Sequence, residues 1–351
     1  MMTTESRGRK ASILLIYTGG TIGMKEDPVL QALVPFDFSQ ILDEVPELAK
    51  FAYKIDSYTF DPLIDSSDVE PSLWVSLVRL LESRYDDYDG FVILHGTDTM
   101  AYSASTLSFM LEGLTKPVIF TGSQLPIGIP RTDGKENLIS AVEIAAAKDE
   151  DGHALVPEVC ICFDNVLIRG NRSRKFNSDH FRAFRSEDYP PLAEAGISIR
   201  YNTPLIRKPS SWEERPIFHT GLDTRVSILK IHPGITPGVV RDILLGKETR
   251  AVILETYGAG NAPSKDWFLS IVREAADSGK IILNVTQCLA GRVNMDLYAT
   301  GKSLKAAGVV NGYDSTTESA LGKLFYLLGT FDSNDKVKAG LEMDLRGEIS
   351  K

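Results

Sequence analysis

The stretch that most constrains the fold is Ile13–Met24, reading ILLIYTGGTIGM. A short apolar run rich in Ile and Leu fits a strand buried on both faces. It breaks abruptly into Thr18-Gly19-Gly20-Thr21-Ile22-Gly23, where glycines permit a tight turn and a close backbone approach to a ligand. Open α/β sheets bind ligands beyond the carboxyl ends of their strands, so Thr21 is the first candidate for chemistry.

The same grammar recurs. Phe91–Leu94 breaks into His95-Gly96-Thr97-Asp98-Thr99, and Val118–Phe120 breaks into Thr121-Gly122-Ser123-Gln124. Val159–Phe163 (VCICF) is a further buried strand, and helical periodicity intervenes from Leu73 to Leu81, up to about Glu112, and over Glu136–Lys148. Asp68 or Ser72 is the expected cap of the first of these helices. Lys25–Pro35, with charges and two prolines, reads as a loop, and Ser39–Leu48 as a short helix. Buried strands alternating with amphipathic helices predict an α/β fold: a larger, doubly wound, mostly parallel N-terminal sheet domain and a smaller C-terminal α/β domain. Pro, Arg and Glu crowd the weakly periodic stretch from Ser186 to about Thr220. The expected division is therefore 1–205, a linker at 206–222, and 223–351. In the second part Val226–Ile231, Ala251–Leu254 and Ile281–Val285 read as strands, with helices near Pro237–Leu245, Ser264–Ser278 and Thr317–Leu328.

Bulk properties exclude several classes. A net charge of −9 argues against nucleic acid as the main partner. No apolar run approaches the roughly 20 residues of a membrane helix. The N-terminal apolar stretch leads into the glycine turn instead of a cleavage site, so it reads as the first strand and not as a signal peptide. Three cysteines cannot form a disulfide framework, which points to a reduced, cytoplasmic protein.

A threonine hydroxyl needs a base to become a nucleophile. None of the five histidines completes a Ser-His-Asp pattern; His95, at a strand end, reads as a packed structural residue. A desolvated lysine held by an aspartate is the other option, and Arg169-Gly170-Asn171-Arg172-Ser173-Arg174-Lys175 supplies cations, although such a run is ordinarily a solvated face. TGGTIGM matches neither GxGxxG nor the P-loop, and no metal-ligand spacing is present.

In their order and spacing, YTGGTIGM, DSSD, ILHGTDTMAY, GNRSRK and YGAGNAP resemble the cytoplasmic, type I L-asparaginases of the bacterial-type asparaginase/glutaminase family, from Ser12 to the terminal LRGE. The resemblance implies hydrolysis of L-asparagine to L-aspartate and ammonia through a covalent acyl-enzyme, without cofactor or metal. It implies a homotetramer built as a dimer of dimers, with active sites between subunits. It assigns Thr21 as nucleophile and Thr97, Asp98 and Lys175 as a second catalytic unit, with Asp98 also gripping the substrate ammonium. Asp65, Ser66 and Ser67 would bind the α-amino and α-carboxylate groups, and Asn261 would reach a neighbouring subunit's site. Two departures stand out. Met24–Phe36 lacks the tyrosine that many relatives place over the threonine, with Leu33 standing near its position. Some cytoplasmic members also carry an activating asparagine site, whose matching positions are Arg174, Glu255, Asn261 and Cys288. An acidic Glu255 there argues against activation. The alternatives are a broad glutaminase-asparaginase, the amidase subunit of a tRNA-dependent amidotransferase, and a non-enzymatic binding module. Amidotransferase relatives carry an extra domain ahead of the TGGT turn, where this chain has only about twenty residues.

Overall fold

A computed structural model describes residues 10–27, 32–35 and 41–351. Its larger sheet has eight strands. Five of them run parallel: Lys54–Thr59, Ser12–Tyr17, Gly90–Leu94, Val118–Thr121 and Val159–Phe163, in that spatial order. Val166–Arg169, Ala193–Ala195 and Ile199–Tyr201 extend one edge antiparallel. The apolar runs are continuous because both faces are covered. Ile13, Leu15 and Tyr17 pack toward Leu138, Ala141 and Val142 of the helix Gly134–Ala146. Leu14 and Ile16 face the opposite core with Trp74 and Leu77 of the helix Pro71–Arg84 and Ala104 and Leu107 of the helix Met100–Met110. Alternation of period two is hidden when both faces need apolar residues.

The second sheet is four-stranded and parallel, ordered Val226–Lys230, Ala251–Thr256, Ile281–Thr286, Val310–Asn311. Phe268 and Val272 of the helix Asp266–Asp277 cover one face, and Leu324 and Leu328 of the helix Thr317–Thr330 cover the other. Thr317–Thr330 also packs on Met100–Met110. A Cβ added at Gly322 would lie 2.9 Å from the Thr106 Cα, so the two backbones nearly touch.

Two local expectations are corrected. Lys25–Pro35 is not simply a loop: Met24–Asp27 pairs antiparallel with Ala32–Pro35, bringing Leu33 opposite Glu26. Its charges and terminal proline mask a short ladder that Pro35, at a strand end, does not interrupt. The helix Pro71–Arg84 is capped by neither Asp68 nor Ser72; Glu70 holds the N-cap position without a side-chain bond, and Pro71 sets the helix start through its fixed φ. The beginning of the expected helix at Ser39 lies outside the described residues; from Ile41 the chain forms a short helix to Glu44 and a 3-10 turn over Pro46–Lys50.

Candidate active site

The chain leaves Ser12–Tyr17, pairs on one side with Lys54–Thr59, then crosses to Gly90–Leu94 on the other. That change of direction is the topological switch point, where turns diverge and leave a crevice. Tyr17, Leu94 and Thr121 are in register, so the turns that follow them emerge at one level.

Those turns are locked together by glycine. Gly19 and Gly20 have φ of 136° and 92°, conformations that side chains rarely adopt. A Cβ on Gly19 would sit 2.1 Å from the Ile64 carbonyl oxygen, and one on Gly20 would sit 2.5 Å from the Gly96 nitrogen. A Cβ on Gly96 would in turn meet the Ser66 hydroxyl at 2.5 Å. Thr18 donates to the Leu94 carbonyl through both its backbone N–H and its hydroxyl, at 3.0 and 2.9 Å. Thr21 follows Gly20 directly, half-buried at the start of a 3-10 turn.

Lys175 arrives from far along the chain. The strand Val166–Arg169 runs antiparallel and ends at the opposite edge of the sheet, with Arg169 beside Cys160. The chain then climbs back along the helix Met100–Met110: Asn171 donates to the Ser108 hydroxyl (3.1 Å) and Ser105 donates to the Gly170 carbonyl (3.2 Å). Arg172, buried, pairs with Asp314 at 2.9 Å and donates to the Gly347 carbonyl, bracing this segment against the second domain and the C-terminal tail. At its end Lys175 Nζ lies 2.8 Å from Thr97 Oγ1 and 2.6 Å from Asp98 Oδ1. Thr97 also donates to Gln124 Oε1 (3.3 Å), and Gln124 Nε2 donates to the His180 carbonyl. Gln124 is the member that sequence reasoning left unassigned; its position in the third strand-end turn was the available signal.

The DSSD turn splits in two. Ser66 is buried, its carbonyl accepts from Thr99 Oγ1 (2.6 Å), and its hydroxyl lies 3.4 Å from the Asp98 N–H. Asp65 and Ser67 are exposed, and Asp65 Oδ1 accepts from the Ser67 N–H and hydroxyl, both at 2.8 Å. Those bonds hold the Asp65 carboxyl below the usual range, so it is an anion at neutral pH.

His95 is buried and its protonation is pushed down to about 4 by loss of solvent. Its tautomer follows from its neighbours. Trp74 Nε1 can only donate, and does so to Ser103 Oγ (2.8 Å). The Ser103 hydroxyl proton is then free for His95 Nε2 (3.0 Å), leaving Nδ1–H to donate to the Gly96 carbonyl at 2.6 Å. The ring is a neutral brace beneath the Gly96-Thr97-Asp98 turn.

Asn261 is not brought to this cluster within the chain. It stands on the turn after Ala251–Thr256 in the second domain, where its Oδ1 accepts from Thr300 at 2.7 Å. Of the positions matching an activating site, Arg174 Nε lies 3.5 Å from Glu318 Oε2, and Glu255 Oε1 accepts from Thr317 at 2.6 Å. Burial holds the Glu318 carboxyl above its ordinary range. Cys288 is exposed, whereas the Cys160 and Cys162 thiols are buried and raised, that of Cys162 to about 12. Among the described residues no helix is long and apolar enough to cross a membrane.

Residues 12–207 match the "Asparaginase, N-terminal" family model and 225–340 the "Glutaminase/Asparaginase C-terminal domain" model. The chain belongs to the asparaginase family. L-asparaginase 1 of Escherichia coli (strain K12) is 44% identical over 346 residues, covering 97% of this chain and 99% of that protein. The asparaginase relatives extend to larger proteins: the 60 kDa lysophospholipase of Mus musculus is 40% identical over 99% of this chain but 64% of its own length. Among solved structures, L-asparaginase I from Vibrio cholerae superposes with a TM-score of 0.88 at 41% identity, covering 98% of this chain and 100% of that one. The asparaginase fold accounts for both sheets.

Proposed function

We propose that this protein hydrolyses L-asparagine to L-aspartate and ammonia, with Thr21 as the nucleophile. The observation that carries the reading is the Lys175–Thr97–Asp98 cluster, with contacts of 2.8 and 2.6 Å, one glycine contact away from the Thr21 turn. An amino-acid zwitterion needs carboxylate for its ammonium and hydroxyl or N–H donors for its carboxylate. Asp98 and Asp65 supply the first, and Ser67 with the surrounding backbone supplies the second. Thr21 Oγ1 attacks the side-chain carboxamide carbon, and its proton passes to the amide nitrogen, which leaves as ammonia. Backbone N–H groups near Thr97 hold the developing oxyanion. Water, deprotonated through Thr97 and Lys175 in its amine form, then cleaves the β-aspartyl ester and regenerates Thr21. Asp98 keeps the Lys175 side chain aligned between proton transfers.

A homotetramer formed as a dimer of dimers completes this reading, with Asn261 reaching the site of a neighbouring subunit. Thiols buried in the core or left unpaired suit a reducing, cytoplasmic setting. The decisive experiment is ammonia release from asparagine by wild type and Thr21→Val. The variant is expected to fold normally, by circular dichroism and thermal midpoint, and to lose turnover; near-normal activity in the folded variant rules Thr21 out.

A further inference from the structure

Tyr17 ends the strand Ser12–Tyr17 and is fully buried, on the sheet face it shares with Ile13, Leu15 and the helix Gly134–Ala146. Burying a phenol hydroxyl costs free energy unless it finds a hydrogen-bond partner. Tyr17 Oη donates to the Gly20 carbonyl at 3.2 Å. That carbonyl belongs to the peptide bond whose nitrogen is the Thr21 nitrogen, so the phenol grips the peptide plane from which the Thr21 side chain rises. Burial pushes the Tyr17 hydroxyl up to about 12, and it therefore keeps its proton and donates at any working pH.

The far side of the turn rests on the same ring. A Cβ added at Gly23 would run into Tyr17 Cζ and Oη, so the Gly23 backbone lies against the tip of the phenol. Gly23 lies outside the left-handed region, and its missing side chain serves this close contact instead. Ile22, between the two contacts, is buried in the core that holds Tyr17. Thr21 thus stands on an arch whose two feet, Gly20 and Gly23, meet one hydroxyl-bearing ring. The arch is poorly made to hold itself. Thr21–Gly23 is a single 3-10 turn, a conformation with weak internal hydrogen bonds, and Gly20 at its N-cap has no side chain to cap it. Nucleophilic attack is sensitive to such support, because a misplacement of about 1 Å costs about 10²-fold in rate.

We propose that Tyr17 is the positioning residue of the nucleophile: its hydroxyl, bonded to the Gly20 carbonyl beneath Gly23, sets the direction in which Thr21 Oγ1 points. This rests on the assignment of Thr21 as nucleophile and names the group that aims it.

Single-turnover kinetics with enzyme in excess over asparagine test it, because ammonia leaves when Thr21 is acylated and aspartate leaves only after water attacks. Tyr17→Phe keeps the ring under Gly23 and removes the hydroxyl alone. It is expected to release ammonia about tenfold more slowly than wild type, with KM for asparagine within about twofold and the thermal midpoint lowered by only a few degrees. The pH–rate profile should fall without moving along the pH axis, since the lost hydroxyl does not titrate there. Gly23→Ala, which crowds the ring from the other side, should slow ammonia release in the same way. Ammonia release at the wild-type rate in either folded variant overturns the inference, whatever the thermal midpoint. So does a loss confined to KM, or a slowing confined to aspartate release, which would place Tyr17 with the water-activating Lys175 unit. Thr21→Val separates this inference from the assignment beneath it. Activity in that variant removes the nucleophile, whereas an inactive Thr21→Val beside an unimpaired Tyr17→Phe removes Tyr17 alone.

Discussion

His95 sits two residues before Thr97, and its protonation state is coupled to the shape of the site. Burial lowers its pKa to about 4 from 6.5, a gap of about 2.5 units. At about 1.36 kcal/mol per unit, excluding the proton is worth about 3 kcal/mol to the folded state. The unfolded chain binds this proton below about pH 6.5, whereas the folded chain binds it only near 4. The stabilisation is therefore fully present above pH 6.5 and drains away as pH falls toward 4. Protonation would also place a hydrogen on Nε2, which now accepts from Ser103, so the brace under the Gly96 carbonyl loosens as the charge appears. The assay is an NMR titration of the histidine Cε1–H signals, with the His95 signal assigned by its loss in His95→Gln. It should stay at its neutral position down to pH 5. Denaturant unfolding of the same pair should show wild type losing about 2–3 kcal/mol more than His95→Gln between pH 7 and 4.5. A His95 signal that inflects between pH 6 and 7 would refute the buried neutral tautomer and the brace built on it.

Other consequences follow from the same geometry. Lys175→Met should lower ammonia release by about 10²–10⁴-fold with the thermal midpoint preserved, and Lys175→Arg should not rescue it, because a guanidinium does not give up its proton at working pH; an active arginine variant would remove Lys175 as the base. Gly20→Ala should cost more stability than Gly152→Ala, because both have positive φ (92° and 84°) but only Gly20 would drive a Cβ into the Gly96 backbone; equal shifts in thermal midpoint would show the turn contact to be slack. Asparagine saturation is expected to be hyperbolic, since Arg174 is engaged by Glu318 and Glu255 by Thr317; a sigmoidal curve in steady-state kinetics would contradict this.

Local physics wrote much of the protein legibly into its sequence. A strand buried on both faces must be apolar at every position, so Ile13–Tyr17, Phe91–Leu94 and Val159–Phe163 announce themselves. Glycines at Gly19 and Gly20 mark a turn because only a residue without a Cβ survives contact with Ile64 and Gly96. Short ladders and caps were less legible: the paired strands Met24–Asp27 and Ala32–Pro35 are four residues each, too short to establish a period, and Pro71 started its helix without any side-chain cap.

The meeting of Thr97 with Lys175, 78 residues apart, belongs to the tertiary structure alone. Charge runs such as Arg169–Lys175 look like solvent-exposed faces, because nothing in local composition distinguishes a cation aimed at water from one aimed at a threonine. Strand order decided the matter: an antiparallel strand delivered Arg169 to the wrong end of the sheet, and the chain had to return along a buried helix to bring Lys175 to the turns. That path also buried Arg172 against Asp314, which residue type and spacing could not reveal. Sequence determines what each segment can bury; only packing determines which side chains then share a cavity.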